Sequence, residues 1–253
     1  MKSFVNHFNG ISITLKELFK GNFLLYFIPG VVITLIYWFF KSKTQVLEDS
    51  IDISTGYSWI DWATSWVDTG ISQAFSLIGF IFEQIYIFVI ITVLSPFNTS
   101  LGEKFDSKLT GNKFDTNVIR FINDFLRMIF IVIIAVVLEI TFIIMYWFLS
   151  WMFGLDALDP FMYHIIAAFF FGFSFYDFSL ERYEQGVGSS MYYAFEKPLT
   201  MILTGTIFLL MFKIPLVGIP LAPVLTIMIS TVVYLFDQKK LANDNNLKKI
   251  ENE

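Results

Sequence analysis

Cysteine is absent from the 253-residue chain. That excludes disulfides, thiol catalysis and cysteine-ligated zinc. Histidine occurs only twice, as His7 and His164, so no histidine cluster for a metal is available. Charge is scarce too, at 15% of residues against about 25% in an ordinary soluble domain. No long basic run exists and the net charge is −5, which excludes a nucleic-acid binder. No His-rich, Ser-Lys or carboxylate cluster stands at catalytic spacing, so a membrane enzyme is not expected, and neither is a cofactor.

What is present is hydrophobic. Apolar types make up 56% of the chain and Phe alone occurs 31 times. A soluble chain of this size leaves too much area outside to bury that surface. The charges are also unevenly spread. Six stretches (21–40, 69–102, 128–155, 160–176, 198–212 and 214–236) hold 137 residues and only two charges, Glu83 and Glu139. The other 116 residues carry 37. A bilayer span needs about 20 apolar residues, so the pattern predicts an all-α, polytopic integral membrane bundle.

Residues 2–20 are amphipathic. Phe4, Val5, Phe8, Ile11, Leu15, Leu18 and Phe19 recur at mostly helical spacing, apart from Lys2, Lys16, Glu17 and Lys20. The spacing predicts a helix lying in the membrane interface. A first, uncleaved span is expected over 23–40, kinked at Pro29-Gly30. Trp59, Trp62 and Trp66 share one helix face and suit a headgroup-level belt. Further spans are expected at about 71–97, 125–153 and 161–180. The first of these should end at Ser95-Pro96-Phe97-Asn98, with 101–127 a charged loop or helix. The apolar pair 198–212 and 214–236, rich in proline, reads either as a full hairpin or as a re-entrant one. The chain thus reads as a single membrane domain over 1–242, with a polar tail expected to be disordered over 243–253.

Basic residues set the expected orientation. Lys104, Lys108, Lys113, Arg120 and Arg127 crowd 101–127, and the tail adds four lysines, whereas 44–70 and 153–161 have no base. Both termini and the 101–127 segment are therefore expected on the cytoplasmic side.

Three stretches carry a resemblance. Ser95-Pro96-Phe97-Asn98 with Leu101, Glu103-Lys104 and Leu109-Thr110-Gly111 resembles the Pro-Phe-Asn…Glu-Lys…Leu-Thr-Gly signature of the sulfate permease CysZ family. That family belongs to a wider group named after an etoposide-induced membrane protein. Tyr176-Asp177-Phe178 is similar to the family's Asp-Tyr-Pro stretch. Gly205, Ile214-Pro215 and Pro223 follow its spacing of glycine, Ile-Pro and proline. The resemblance covers roughly 15–237. It implies long spans plus partly penetrating hairpins, homo-oligomers built on dimers, a bacterial inner-membrane location and sulfate uptake, proton-dependent or channel-like. Where the family has a Gly-Leu-Arg-Arg type motif, this chain reads Phe19-Lys20-Gly21-Asn22-Phe23, without an arginine fork. Between 183 and 204 the one base is Lys197, and Gly218 stands where the family has an asparagine.

These features name the site residues. Lys20 with the Gly21 and Asn22 amides is the expected anion site, since helix-start N–H groups and a cation suit an oxyanion. Asn98 could hydrogen-bond a solute, and Lys213 at the hairpin tip would line an anion path if the hairpin is re-entrant. Glu83 and Glu139 lie about 20 and 18 Å from the cytoplasmic ends of their spans. They are the proton-linked pair. Asp177, Glu181 and Arg182 could form an ion-pair lock, and His164 an interfacial hydrogen bond. The expected function is movement of a small oxyanion, sulfate by resemblance. The alternative is a non-transport scaffold or envelope protein of the same fold.

Overall fold

A computed structural model describes residues 2–36, 58–114 and 118–241, and of 58–79, 82, 118, 120 and 121 the backbone course only. Trp59, Trp62 and Trp66 fall on a helix there, but their side chains lie outside the described part, as do 37–57 and the tail from 242. Among the described residues the chain is helical throughout: α1 (Lys2–Phe19), α2 (Leu24–Ile36, opening with a 3-10 turn), α3 (Ser58–Thr110), α4 (Val118–Phe153), α5 (Asp159–Arg182), α6 (Val187–Glu196), α7 (Pro198–Phe212) and α8 (Gly218–Asp237). Among the described residues four segments are long and apolar enough to cross a membrane: Glu83–Thr110, Ile122–Phe153, Asp156–Arg182 and Gly218–Asp237. Two bent pairs, α1 with α2 and α6 with α7, raise that to as many as six. The chain is a multi-pass helical membrane bundle.

α3 runs on beyond the end expected for the second span. Pro96 was expected to end it, yet α3 continues through Pro96 to Thr110. Proline removes one backbone donor, but Leu101, Phe105 and Leu109 beyond it are buried. Their packing holds the helix together past the break.

Aromatic packing ties three helices into one core. Phe88 of α3 stacks on Phe171 of α5 at 4.4 Å, and Phe171 and Phe175 meet Phe208 of α7 at 5.4 and 4.8 Å. Glycine lets α5 and α7 approach backbone to backbone. A Cβ on Gly172 would overlap the Met201 carbonyl, and one on Gly205 the Ala168 carbonyl. Small residues at crossings allow such contact in lipid-embedded bundles.

These contacts also fix the hairpin's depth relative to α5. Gly205 sits beside Ala168, and Phe212 lies seven residues beyond it, as Phe161 lies seven before Ala168. At about 1.5 Å per residue, the α7–α8 turn is level with the first turn of α5. The hairpin reaches as far as its neighbour does.

α4 packs one stripe inward: Met128, Ile131, Ala135, Glu139, Ile143, Tyr146 and Ser150 are buried. Its other face, including Phe130, Ile133, Val137 and Phe148, is open. α1 is the inverse of a soluble amphipathic helix. It buries Asn6, His7, Gly10, Thr14 and Glu17 against the bundle and exposes Phe4, Phe8, Leu15 and Phe19. An outward apolar face belongs in lipid, and α1 turns by 103° into α2, so it lies across the bundle's end. α6 meets α7 at 93° and likewise exposes Tyr192 and Phe195.

Candidate functional site

Polar side chains gather at one end of the bundle, where α3, α5 and α8 finish and α1 and α6 lie crosswise. Arg182, the last residue of α5, is buried. Its Nη1 donates to Asp106 Oδ2 at 2.9 Å and its Nη2 to Thr231 Oγ1 at 3.4 Å. One group thus joins three helices. Tyr183 donates its hydroxyl to both Asp106 oxygens at 3.0 Å. The guanidinium lies against Gly102, where a Cβ would overlap Nη2. Burial and the Asp106 carboxylate push the Tyr183 hydroxyl up from its usual range. The Lys240 ammonium covers the Tyr183 ring, and burial draws its pKa down, against the pull of Asp106.

A second knot joins α4 to α5 and α6. Arg127 forks onto Asp177, with Nε to Oδ2 at 3.2 Å and Nη2 to Oδ1 at 2.8 Å. It also donates to the Gln185 carbonyl and the Ser190 hydroxyl. The expected lock of Asp177, Glu181 and Arg182 is therefore corrected. The aspartate takes Arg127 and the arginine takes Asp106, because each faces a different neighbouring helix.

A third network fastens α1. Asp237 accepts from Asn6 at 3.1 Å, Tyr193 at 3.1 Å and Lys197 at 2.8 Å. One turn deeper, His7 Nε2 meets Thr204 Oγ1 at 2.7 Å, while Nδ1 faces the Ser3 carbonyl at 2.7 Å. A carbonyl only accepts, so Nδ1 carries a proton.

The sequence-predicted residues do not converge. Lys20 pairs with Glu17 at 3.1 Å, and Gly21, at φ +81°, donates its N–H back to the Leu18 carbonyl at 2.9 Å. Asn22 is exposed beside them. Lys213 is exposed at the opposite end of the bundle. Glu83 is on an exposed face of α3, whereas Glu139 is buried on the inward stripe of α4 with both oxygens unpartnered. His164 meets Thr206 at 3.2 Å. Asn98 is buried within α3, one turn from Gly102, and its Nδ2 has no acceptor.

Asn98 therefore has company that the sequence did not disclose. Arg182 Nε, Ser95 Oγ and Ser179 Oγ are also buried without partners. Gln84, Ser95 and Asn98 stand on one face of α3, and Gln84 Oε1 is unpartnered too. Native interiors leave few such groups. The only hint in sequence is the i, i+11, i+14 spacing of three polar residues in an apolar run. Beside Arg182 a cleft of 670 Å³ opens, lined by Asn112, Lys113, Phe114, Asp124, Glu181, Tyr183 and Glu184. Among the described residues no acidic or histidine group is arranged to hold a metal. No family model, curated protein or solved structure matches the chain.

Proposed function

We propose that the protein is a non-enzymatic membrane transporter of a small oxyanion, with sulfate the cargo that the CysZ-family resemblance implies. The supporting observation is two unpartnered buried donors: Asn98 Nδ2, one turn along α3 from Gly102, and Nε of Arg182, whose guanidinium packs on Gly102. An oxyanion accepts from several donors at once, and a guanidinium edge beside an amide suits it. Arg182 takes the place that Lys20 held in the sequence reading, with Lys20 a peripheral cation. Asp106 offsets the guanidinium charge, which keeps the anion's hold weak enough for release. Glu139 is the proton-linked residue of this reading, since an unpartnered ionisable group within a span marks a pathway or relay. Glu83, on an exposed face, has no part in it. The setting is a bacterial inner membrane with both termini cytoplasmic, and the working unit is a homo-oligomer.

Radiolabelled sulfate flux into proteoliposomes tests this. Wild type should exceed empty vesicles, and Asn98→Leu should lose at least tenfold. Glu139→Gln should flatten the dependence of flux on pH. Flux equal to empty vesicles would sink the transport reading. A second reading, a non-transport scaffold, is favoured by the cleft beside Arg182. Its walls carry Asp124, Glu181 and Glu184 against Lys113 and Arg182, a poor mouth for an anion.

A further inference from the structure

The outward stripe of α3 changes character along its length. Val89, Val93 and Phe97 are exposed and apolar. Ser100, Lys104 and Lys108 continue the same stripe at spacings of three and four residues, and are exposed as well. Beside them, α2 exposes Leu24, Leu25, Ile28 and Val32. α2 is pinned there by Phe23, whose ring meets Phe105 edge-on at 5.4 Å, and by Tyr26, whose hydroxyl meets Ser100 at 3.2 Å. The two helices thus present a continuous apolar surface that ends in lysines at the polar end.

Those lysines are held in place. Lys104 sits over the Tyr26 ring at 5.8 Å and Lys108 over the Phe23 ring at 5.6 Å. Lys108 and Lys20 share one buried carboxylate, Glu17. Three lysines, Lys20, Lys104 and Lys108, stand here beside one buried carboxylate, Glu17, and Glu103, next to Lys104 in the chain, is buried as well. Side-chain exposure of 32% for Lys108 and 27% for Lys20 leaves donor capacity turned outward. Phe19, at 89% exposure, flanks the patch.

We propose that the α2–α3 face is a binding site for an anionic phospholipid. Its phosphate meets Lys20, Lys104 and Lys108. Its acyl chains run along Phe97, Val93, Leu25 and Ile28. Charge complementarity picks an anionic headgroup over a zwitterionic one, and the apolar stripe below the lysines picks a lipid over a free anion. The site stands apart from the oxyanion-transport reading, because neither Asn98 nor Arg182 belongs to it and the shared Lys20 is only peripheral there.

Native mass spectrometry of the detergent-solubilised full chain tests the site, with phosphatidylglycerol and phosphatidylcholine added in separate arms. Wild type should retain phosphatidylglycerol preferentially, and the preference should shrink between low and high salt. Lys104→Gln with Lys108→Gln should weaken phosphatidylglycerol binding about thirtyfold and leave phosphatidylcholine unchanged. Lys239→Gln should change neither. Inorganic phosphate or sulfate at millimolar concentration should not displace the lipid. Equal retention of the two lipids by wild type would overturn the proposal without any variant. So would displacement by free phosphate, or a double variant that binds like wild type while keeping its helical circular dichroism.

Discussion

A single buried ion pair shows how context decides a residue's effect. Asp106 and Arg182 have side-chain exposures of 0% and 1%. Removing one partner strands the other charge in a dry interior, which costs about 3–5 kcal/mol. Asp106→Asn should therefore lower the melting temperature in detergent sharply. Adding Arg182→Met to it should recover part of the loss, since both charges are then gone. A double variant no more stable than the single one would show that the pair is not coupled. Nothing in the sequence joined these two residues, which stand 76 positions apart. The scarcity of charge did flag Glu139, but not that its surroundings differ from those of Glu83. Burial of a helix face depends on which neighbour arrives, and a hydropathy run is blind to that.

Among the elements, α7 and α1 carry the clearest expectations. Gly205→Ala would gain roughly 1 kcal/mol in helix propensity on an isolated helix. Here the new methyl meets the Ala168 carbonyl, a backbone atom that cannot turn aside. Overpacking of about 1–3 kcal/mol wins, and thermal unfolding should show net destabilisation. A stabilised variant would mean that α5 and α7 are further apart. For α1 the expectation concerns its surroundings. Phe8 is 75% exposed on the protein, yet its face belongs in lipid. The indole of Phe8→Trp should be quenched by brominated acyl chains in vesicles, and emission like that of a hydrated indole would refute the placement. Residues 2–20 were legible as an amphipathic helix, but an apolar stripe at helical spacing reads the same for core and for lipid. Which of the two it faces was not legible, since only the docked Asn6, His7 and Thr14 disclose that the polar side points inward.

At the scale of the whole molecule, the absence of cysteine is an experimental asset. Asn112, between α3 and α4, and Lys239, beyond α8, share one end of the bundle with Asn6, which bonds Asp237. Leu158 and Leu216 lie at the other end. Single cysteines at these positions should divide into two classes toward a membrane-impermeant maleimide: Asn112→Cys with Lys239→Cys, and Leu158→Cys with Leu216→Cys. Labelling of all four from one side would refute the arrangement of spans. The apolar runs picked out three of the long apolar helices, α3, α4 and α5, while the fourth, α8, was read as one arm of a hairpin. They left 101–127 open between a charged loop and a helix, since Glu103, Asp106 and Lys108 suit either. Glu103 and Asp106 are buried, and α3 runs on to Thr110.

The sequence by itself determined that this is a membrane protein with long helices and no cysteine. Those properties follow from local composition, and lipid acts on each segment separately. Tertiary structure alone decided which polar groups meet. Arg182 finds Asp106, Arg127 finds Asp177, and Lys108 finds Glu17, since each pairing depends on helices brought together from distant parts of the chain. It also left Asn98 Nδ2 and Glu139 without partners. That absence becomes visible only when every neighbouring helix is in place.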